Sequence, residues 1–207
     1  MNNLYNLDNL ETGDILLFKG TSYLSKIIEY FGKSPYSHVG MVLKNPSFIN
    51  PNLKDGIYIL ESSSNNTPDS EDNKFKVGVQ IHLLEDVLKE FSPGSVFVRK
   101  IDVVRDETFY KKLDEIHKEI HNKPYDLNPY DWLMAKLNLN HTFSENDKYR
   151  KTKSFWCSAL LSYILSQLGL IQNDINWSLI SPREFGNCSS STIIKFNCKV
   201  GDEINIY

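Results

Sequence analysis

The chain has 207 residues, 41% apolar and 24% charged, a composition that excludes global disorder and is enough for one domain spanning 1–207 with its own core. Its 23 basic and 26 acidic residues leave a net charge of −3, which argues against a nucleic-acid binder, since that class needs a basic face. Apolar runs fall short of the roughly 18 residues of a membrane span, and three Cys, an odd number, fit a reducing, cytoplasmic compartment better than a disulfide framework.

The start, Met1-Asn2-Asn3-Leu4-Tyr5-Asn6, has neither a basic nor an apolar leader region, so no secretory signal is expected. The sequons at Asn65, Asn140, Asn176 and Asn187 then have no role. The first elements read as strands. Asp14–Phe18 is a short apolar run after a Thr12-Gly13 turn. Residues 24, 27, 28 and 31 have helical spacing, which predicts a helix over Thr21–Phe31 ended by Gly32. Ser37–Leu43 and Ile57–Ser62 read as two further strands, and 62–76 as an exposed polar loop.

Val77–Leu83 and Ser95–Ile101 are expected strands, with a short helix over Leu84–Phe91 between them. Asp106–His121 has an acidic first turn and apolar residues at 109, 113, 116 and 120, the pattern of an amphipathic helix. Pro129–Leu137 reads as a helix with Pro in its first turn, and Asn138–Lys153 as a polar loop or lid. Ala159–Leu168 is a strongly apolar helix stopped by Gly169. Short strands are expected at Ile193–Phe196 and Glu203–Ile206. The fold class is α+β, an antiparallel sheet with helices packed on it.

Cys157 stands where the polar stretch before it turns into the apolar helix. A thiol at a helix N-terminus faces the positive end of the macrodipole, which favours the nucleophilic thiolate. The competing reading is a buried small hydrophobe. Cys188 and Cys198 lack the paired spacing of a zinc site. His38 lies inside a strand, and alternation places His38, Gly40 and Val42 on one face. Gly40 would leave room for a second element, such as a thiol-bearing helix, to approach.

Glu61 ends the strand that starts at Ile57 and shares a face with Ile57 and Ile59. A carboxylate on an apolar face needs a partner, and a histidine on a neighbouring strand would supply one. His117 and His121 are four apart on a helix, but Glu119 faces away, so this is not a zinc-protease helix. The pair reads as a solvated face. His82 and His141 show no feature of their own.

Gly13-Asp14-Ile15-Leu16, Ser37-His38-Val39-Gly40-Met41-Val42, Leu60-Glu61-Ser62, Pro124-Tyr125-Asp126 and Trp156-Cys157-Ser158, in this order, resemble the permuted papain-like amidases of the YaeF/YiiX type. These belong to the NlpC-type peptidases, with relatives in poxviruses and other large DNA viruses. The likeness runs from about residue 12 to 185 and implies a circularly permuted papain-like fold, with the antiparallel sheet packed on a central Cys-bearing helix.

It further implies Cys157 as nucleophile, His38 as general base and Glu61 as the group that orients His38. Substrate binding is expected near Tyr125 and Asp126, together with Asp14 and Tyr36. One departure is Ala159, where relatives often carry an acidic residue after the Cys-Ser pair. The basic stretch Lys148–Lys153 is either an anion-recognising segment or a solvated loop.

The resemblance thus implies a cysteine hydrolase or acyltransferase acting on a peptide, isopeptide, N-acyl amide or ester, with no metal or cofactor. Its partners would be a peptide, an N-acyl amino acid or a lipid, with peripheral lipid contact open and no nucleic acid. A viral source would place it in the host cytoplasm or the virion. A catalytically inactive papain-like module that binds a peptide or acyl lipid is the alternative. A metal hydrolase using His117 and His121 is a third class, and it would lose activity with a chelator.

Overall fold

The computed structural model describes residues 5–20, 35–64, 67–124, 156–177, 180–187 and 193–207. The helices expected at Thr21–Phe31 and Pro129–Leu137, the segment 138–153, and Tyr125, Asp126, His141 and Cys188 lie outside these residues.

Six strands form one antiparallel sheet: β1 (Ile15–Phe18), β2 (His38–Lys44), β3 (Ile57–Ser63), β4 (Gly78–Leu83), β5 (Val96–Asp102) and β6 (Lys199–Asn205). Their order in the sheet is β4-β3-β2-β1-β5-β6. β1 is Ile-Leu-Leu-Phe, buried on both faces, which suits a strand with neighbours on either side and cover above and below. Its last residue, Phe18, pairs with His38, the first residue of β2. Met41 pairs with Leu60, Ile59 with His82 and Glu61 with Gln80.

Among the described residues three α-helices flank the sheet: α1 (Leu84–Leu88), α2 (Glu107–Ile120) and α3 (Cys157–Gln167). Alternation along the strands divides the core in two. Ile15, Leu17, Val39, Met41, Leu43, Leu60 and Ile81 face α3 and the inner side of α2. Leu16, Phe18, Val42, Ile59 and Val98 face α1 and Ile206. α3 is buried from Cys157 through Ser166, as expected of a helix apolar nearly all round. Two of its serines are satisfied by carbonyls: Ser158 Oγ donates to Ile180 at 2.7 Å, outside the helix, and Ser162 Oγ to Ser158 at 2.8 Å, one turn back.

Capping follows the sequence signals. The Asp106 side chain accepts from the Phe109 N–H at the start of α2. Gly169 takes φ +75°, and the Gly169 and Leu170 N–H groups close back on Ser166 and Leu165, so a left-handed glycine satisfies the last carbonyls of α3.

Three expectations need correction. α1 stops at Leu88 rather than Phe91, because the Glu90 and Phe91 N–H groups turn back on Val87 and Leu88. Ile193–Phe196 is not a strand of the sheet. Phe196 makes an isolated bridge with Ile171, and the Gln172 side chain bonds the Ile193 carbonyl and the Lys195 N–H, so the segment is held by the turn after α3. β6 begins at Lys199, earlier than the expected Glu203, and pairs along β5 with a register shift between Arg99 and Ile101.

Candidate active site

Cys157 is the first residue of α3, preceded by Trp156 in an extended conformation with no side-chain cap. The first backbone bond of the helix runs from the Leu160 N–H to the Trp156 carbonyl at 3.0 Å. The N–H groups of Cys157, Ser158 and Ala159 therefore have no acceptor within the helix and present their positive end beside the thiol. Cys157 is 5% exposed.

His38 opens β2, its ring tilted against Phe18 with centroids 5.4 Å apart. Nε2 is bonded to Glu61 Oε2. The Cys157 thiol lies close enough to the same ring to raise its pKa. Cys157 belongs to the core on one face of the sheet, and His38 lies, with Val42, on the other. They meet because His38 is at the very start of its strand, the end of the sheet at which α3 begins.

The charges are set by neighbours. Burial works against a cation on His38, but the Glu61 carboxylate and the Cys157 thiol outweigh it and hold the imidazolium up to about 10. Burial likewise works against the Glu61 anion. His38, and after it His82, outweigh that and push Glu61 down to about 2.

His82, which has no feature of its own in the sequence, is the third member of this chain. It is fully buried on β4, and Nδ1 lies 2.8 Å from Glu61 Oε1. Nε2 lies 3.2 Å from the Thr67 carbonyl. A carbonyl only accepts, so Nε2 carries a proton. The other nitrogen faces an ionised carboxylate, so it too must donate, and His82 is a buried imidazolium. Burial opposes this, but Glu61 outweighs it and raises His82 above its ordinary value.

The arrangement is an alternating row across three strands: His82 cation, Glu61 anion, His38 cation. Each charge in the row is paired with an opposite one, which is the condition under which buried charges persist. The signal that could have found His82 is register. With β3 and β4 as a hairpin pair, alternation places Glu61 and His82 on one face as diagonal neighbours, two residues apart in register.

Gly40 is corrected. Its missing side chain does not admit the Cys helix. A Cβ there would fall 2.5 Å from Ile59 Cδ1 and 3.1 Å from the Leu60 carbonyl oxygen. The glycine lets Ile59 pack across β2, while α3 lies on the opposite face against Val39, Met41 and Leu43.

Two expected substrate contacts are placed elsewhere. Asp14 is fully buried at the end of β1 away from Phe18 and His38. It accepts from the Glu11 and Ile101 N–H groups at 2.8 and 3.1 Å and pairs with Lys100 and Arg105. Those donors saturate it and make it a tie between β1 and β5. Tyr36 is 1% exposed, edge-on to Phe97 and closed over by Gly186, where a Cβ would fall 2.9 Å from the ring. It packs in the core rather than lining an open surface.

The solvated face expected for His117 and His121 is also corrected. His117 is 4% exposed, its Nε2 is 3.0 Å from Glu71 Oε2, and His121 Nδ1 is 3.1 Å from the same oxygen. The loop after β3 folds over the end of α2 and buries His117, while the His121 side chain stays 33% exposed. Glu119 does turn away, to the Tyr163 hydroxyl on α3. Cys198 is half-buried, and burial and then Asp102 raise its thiol above the ordinary value.

No protein-family model matches the chain, and no curated protein matches it. Among solved structures it is similar to the crystal structure of metalloprotein yiiX from Escherichia coli O157:H7, at 20% identity and a TM-score of 0.49. The similarity covers 76% of this chain and 66% of that one, so the chain spans just under two thirds of that protein's length. Among the described residues no helix is long and apolar enough to cross a membrane.

Proposed function

We propose that this chain is a thiol hydrolase or acyltransferase, with Cys157 as nucleophile, His38 as acid and base, and Glu61 as the residue that orients and charges His38. The observation that carries the reading is the placement of one imidazole between a helix-start thiol and a buried carboxylate. A permuted papain-like arrangement, with the His and Glu strands first and the Cys helix late, is part of the same proposal.

In this mechanism the Cys157 thiolate attacks the carbonyl carbon of an amide or ester and a C–S bond forms. The oxygen takes up the negative charge and accepts from the Cys157 N–H at the start of α3. His38 gives its proton to the leaving amine or alkoxide as the C–N or C–O bond breaks, leaving a thioester. Neutral His38 then takes a proton from water, or from an acceptor hydroxyl or amine. The oxygen or nitrogen so activated attacks the thioester, the thiolate leaves, and the imidazolium is restored. A hydrolase and a transferase differ here only in the acceptor.

The test is iodoacetamide labelling of the full chain across a pH series, read by mass spectrometry at each cysteine, on the wild type and on His38→Ala. Fast labelling of Cys157 alone at about pH 6, lost in His38→Ala, is the expected result and justifies screening amides and lipid esters. Labelling of Cys157 no faster than Cys198 at that pH overturns the catalytic reading and leaves a binding module on this scaffold.

A further inference from the structure

Glu71, His117 and His121 converge from two separate elements. Glu71 lies in the loop between β3 and β4. His117 is on the last turn of α2, and His121 is its C-cap, with ψ 133°. One atom from each lies within 4.8 Å of the others. Both imidazoles aim a nitrogen at a single carboxylate oxygen, at 3.0 and 3.1 Å, and their ring centroids are 5.1 Å apart.

Three converging ligand atoms of these types could hold a metal ion. With metal–ligand bonds of about 2.0–2.1 Å, two ligand atoms of a tetrahedral site are separated by about 3.4 Å. The two observed His–Glu separations are within a few tenths of an ångström of that edge. Histidines four apart on a helix share one side and present their rings together.

The carboxylate is braced from behind. Asn50 bonds its side chain, and the Glu71 N–H is held by Asp69 Oδ1 at 2.9 Å. Asp69 is itself tied to Lys76 at 2.7 Å. Outer contacts of this kind fix ligand orientation in metal sites. Glu71 and His117 are nearly closed off, at 7% and 6% side-chain exposure, while His121 is 33% exposed. The open side is therefore the His121 side, where a fourth ligand from solvent has access.

We propose that Glu71, His117 and His121 form a three-residue site for a borderline transition-metal dication of the zinc class. Binding requires both imidazoles neutral, with the proton of each on the nitrogen away from Glu71, so protons compete with the ion for the site. The ion fastens the β3–β4 loop to α2. That loop also carries Thr67, whose carbonyl accepts from His82, so the clamp steadies the far end of the charge row without joining its chemistry. The proposal stands apart from the thiol reading, since none of its ligands belongs to that row.

The test is equilibrium dialysis of the chelator-stripped full chain against Zn²⁺ at about 10 μM free ion, with bound metal measured by mass spectrometry. Co²⁺ serves as a second probe, read by the visible absorption of its tetrahedral form. The variants are Cys157→Ser, His121→Ala and Glu71→Gln. The wild type and Cys157→Ser are expected to retain about one equivalent and to show the Co²⁺ bands. His121→Ala and Glu71→Gln are expected to bind at least about tenfold more weakly.

A melting curve with and without Zn²⁺ supplies an independent readout, with a Zn²⁺-dependent rise in the wild type that both ligand variants lose. His121 is partly exposed, so its truncation leaves the core intact. Equal retention by the ligand variants, or none by the wild type, overturns the site. Loss of the metal only in Cys157→Ser would assign it to the thiol instead and overturns it as well.

Discussion

Two clusters in this molecule are each built from one glutamate and two histidines, and they use the glutamate differently. Glu61 gives Oε2 to His38 and Oε1 to His82, so its two partners lie on opposite sides and the charges form a row. Glu71 gives Oε2 to both His117 and His121, so its partners converge on one point. A row orients and electrostatically stabilises the ring at its end, His38, beside Cys157. A convergent set encloses a position that a cation can occupy. Strand geometry produces the first, because same-face residues on adjacent strands are laid out in a line. A helix end met by a loop produces the second, because side chains four apart point the same way.

The largest effect expected is at the end of the row. Cys157→Ser should lower amide or ester turnover by about 10³-fold or more, because a hydroxyl is a far weaker nucleophile beside this imidazole. The check is turnover by the variant on any substrate the wild type accepts. A loss under tenfold would remove Cys157 from the chemistry.

Glu61→Gln comes next, with a loss of roughly 10²–10⁴-fold, and it has a signature in pH. The His38 ring is raised from 6.5 to about 10. The stabilisation this brings is complete below 6.5 and is lost as pH rises through about 10. Glu61 is lowered from 4.5 to about 2. Its stabilisation is complete above 4.5 and is lost as pH falls through about 2. Removing the carboxylate takes away the anion that holds His38 up, so the alkaline limb of the rate profile should move to lower pH. An unmoved limb would show that Glu61 does not charge His38.

His82→Gln is expected to cost about tenfold in rate, the lower end of what outer hydrogen-bond partners contribute. Glutamine keeps a donor toward Glu61 and drops the cation. Glu61 then loses one of the two charges that hold its carboxyl down, so acid unfolding should begin at higher pH than in the wild type. A circular-dichroism acid titration of both proteins measures this, and identical midpoints would make His82 a packing residue only.

Much of this arrangement was legible in the residues, and what was not has a common cause. His38, Glu61 and Cys157 stand out because each is a reactive or charged type in an apolar element, and burial of such a group demands a reason. The strands and helices they sit on follow from period-2 and 3.6 patterns. What escaped depends on which elements touch. His82 looks like any strand residue until the β3–β4 register puts it beside Glu61. His117 looks solvated on its own helix until the loop carrying Glu71 covers it. Gly40 in sequence suggests space for a helix, but a missing side chain says that something approaches and not what, and the neighbour is Ile59. Long-range contacts of this sort are absent from local patterns by construction.

Asp14 supplies the smallest effect on chemistry and the cleanest separation of stability from activity. It sits at the other end of β1 from His38, with Lys100, Arg105 and two backbone N–H groups bonded to it. Replacing it by Asn keeps the size but strips the charge from a buried group facing two cations. Breaking one side of such a cluster costs about 3 kcal/mol. Denaturant unfolding of Asp14→Asn should show that loss, with the labelling rate of Cys157 at about pH 6 unchanged while the chain is folded. The two measurements must part for Asp14 to be a structural tie. If stability holds and substrate turnover falls instead, its carboxylate faces substrate after all, and the far end of β1 belongs to the site.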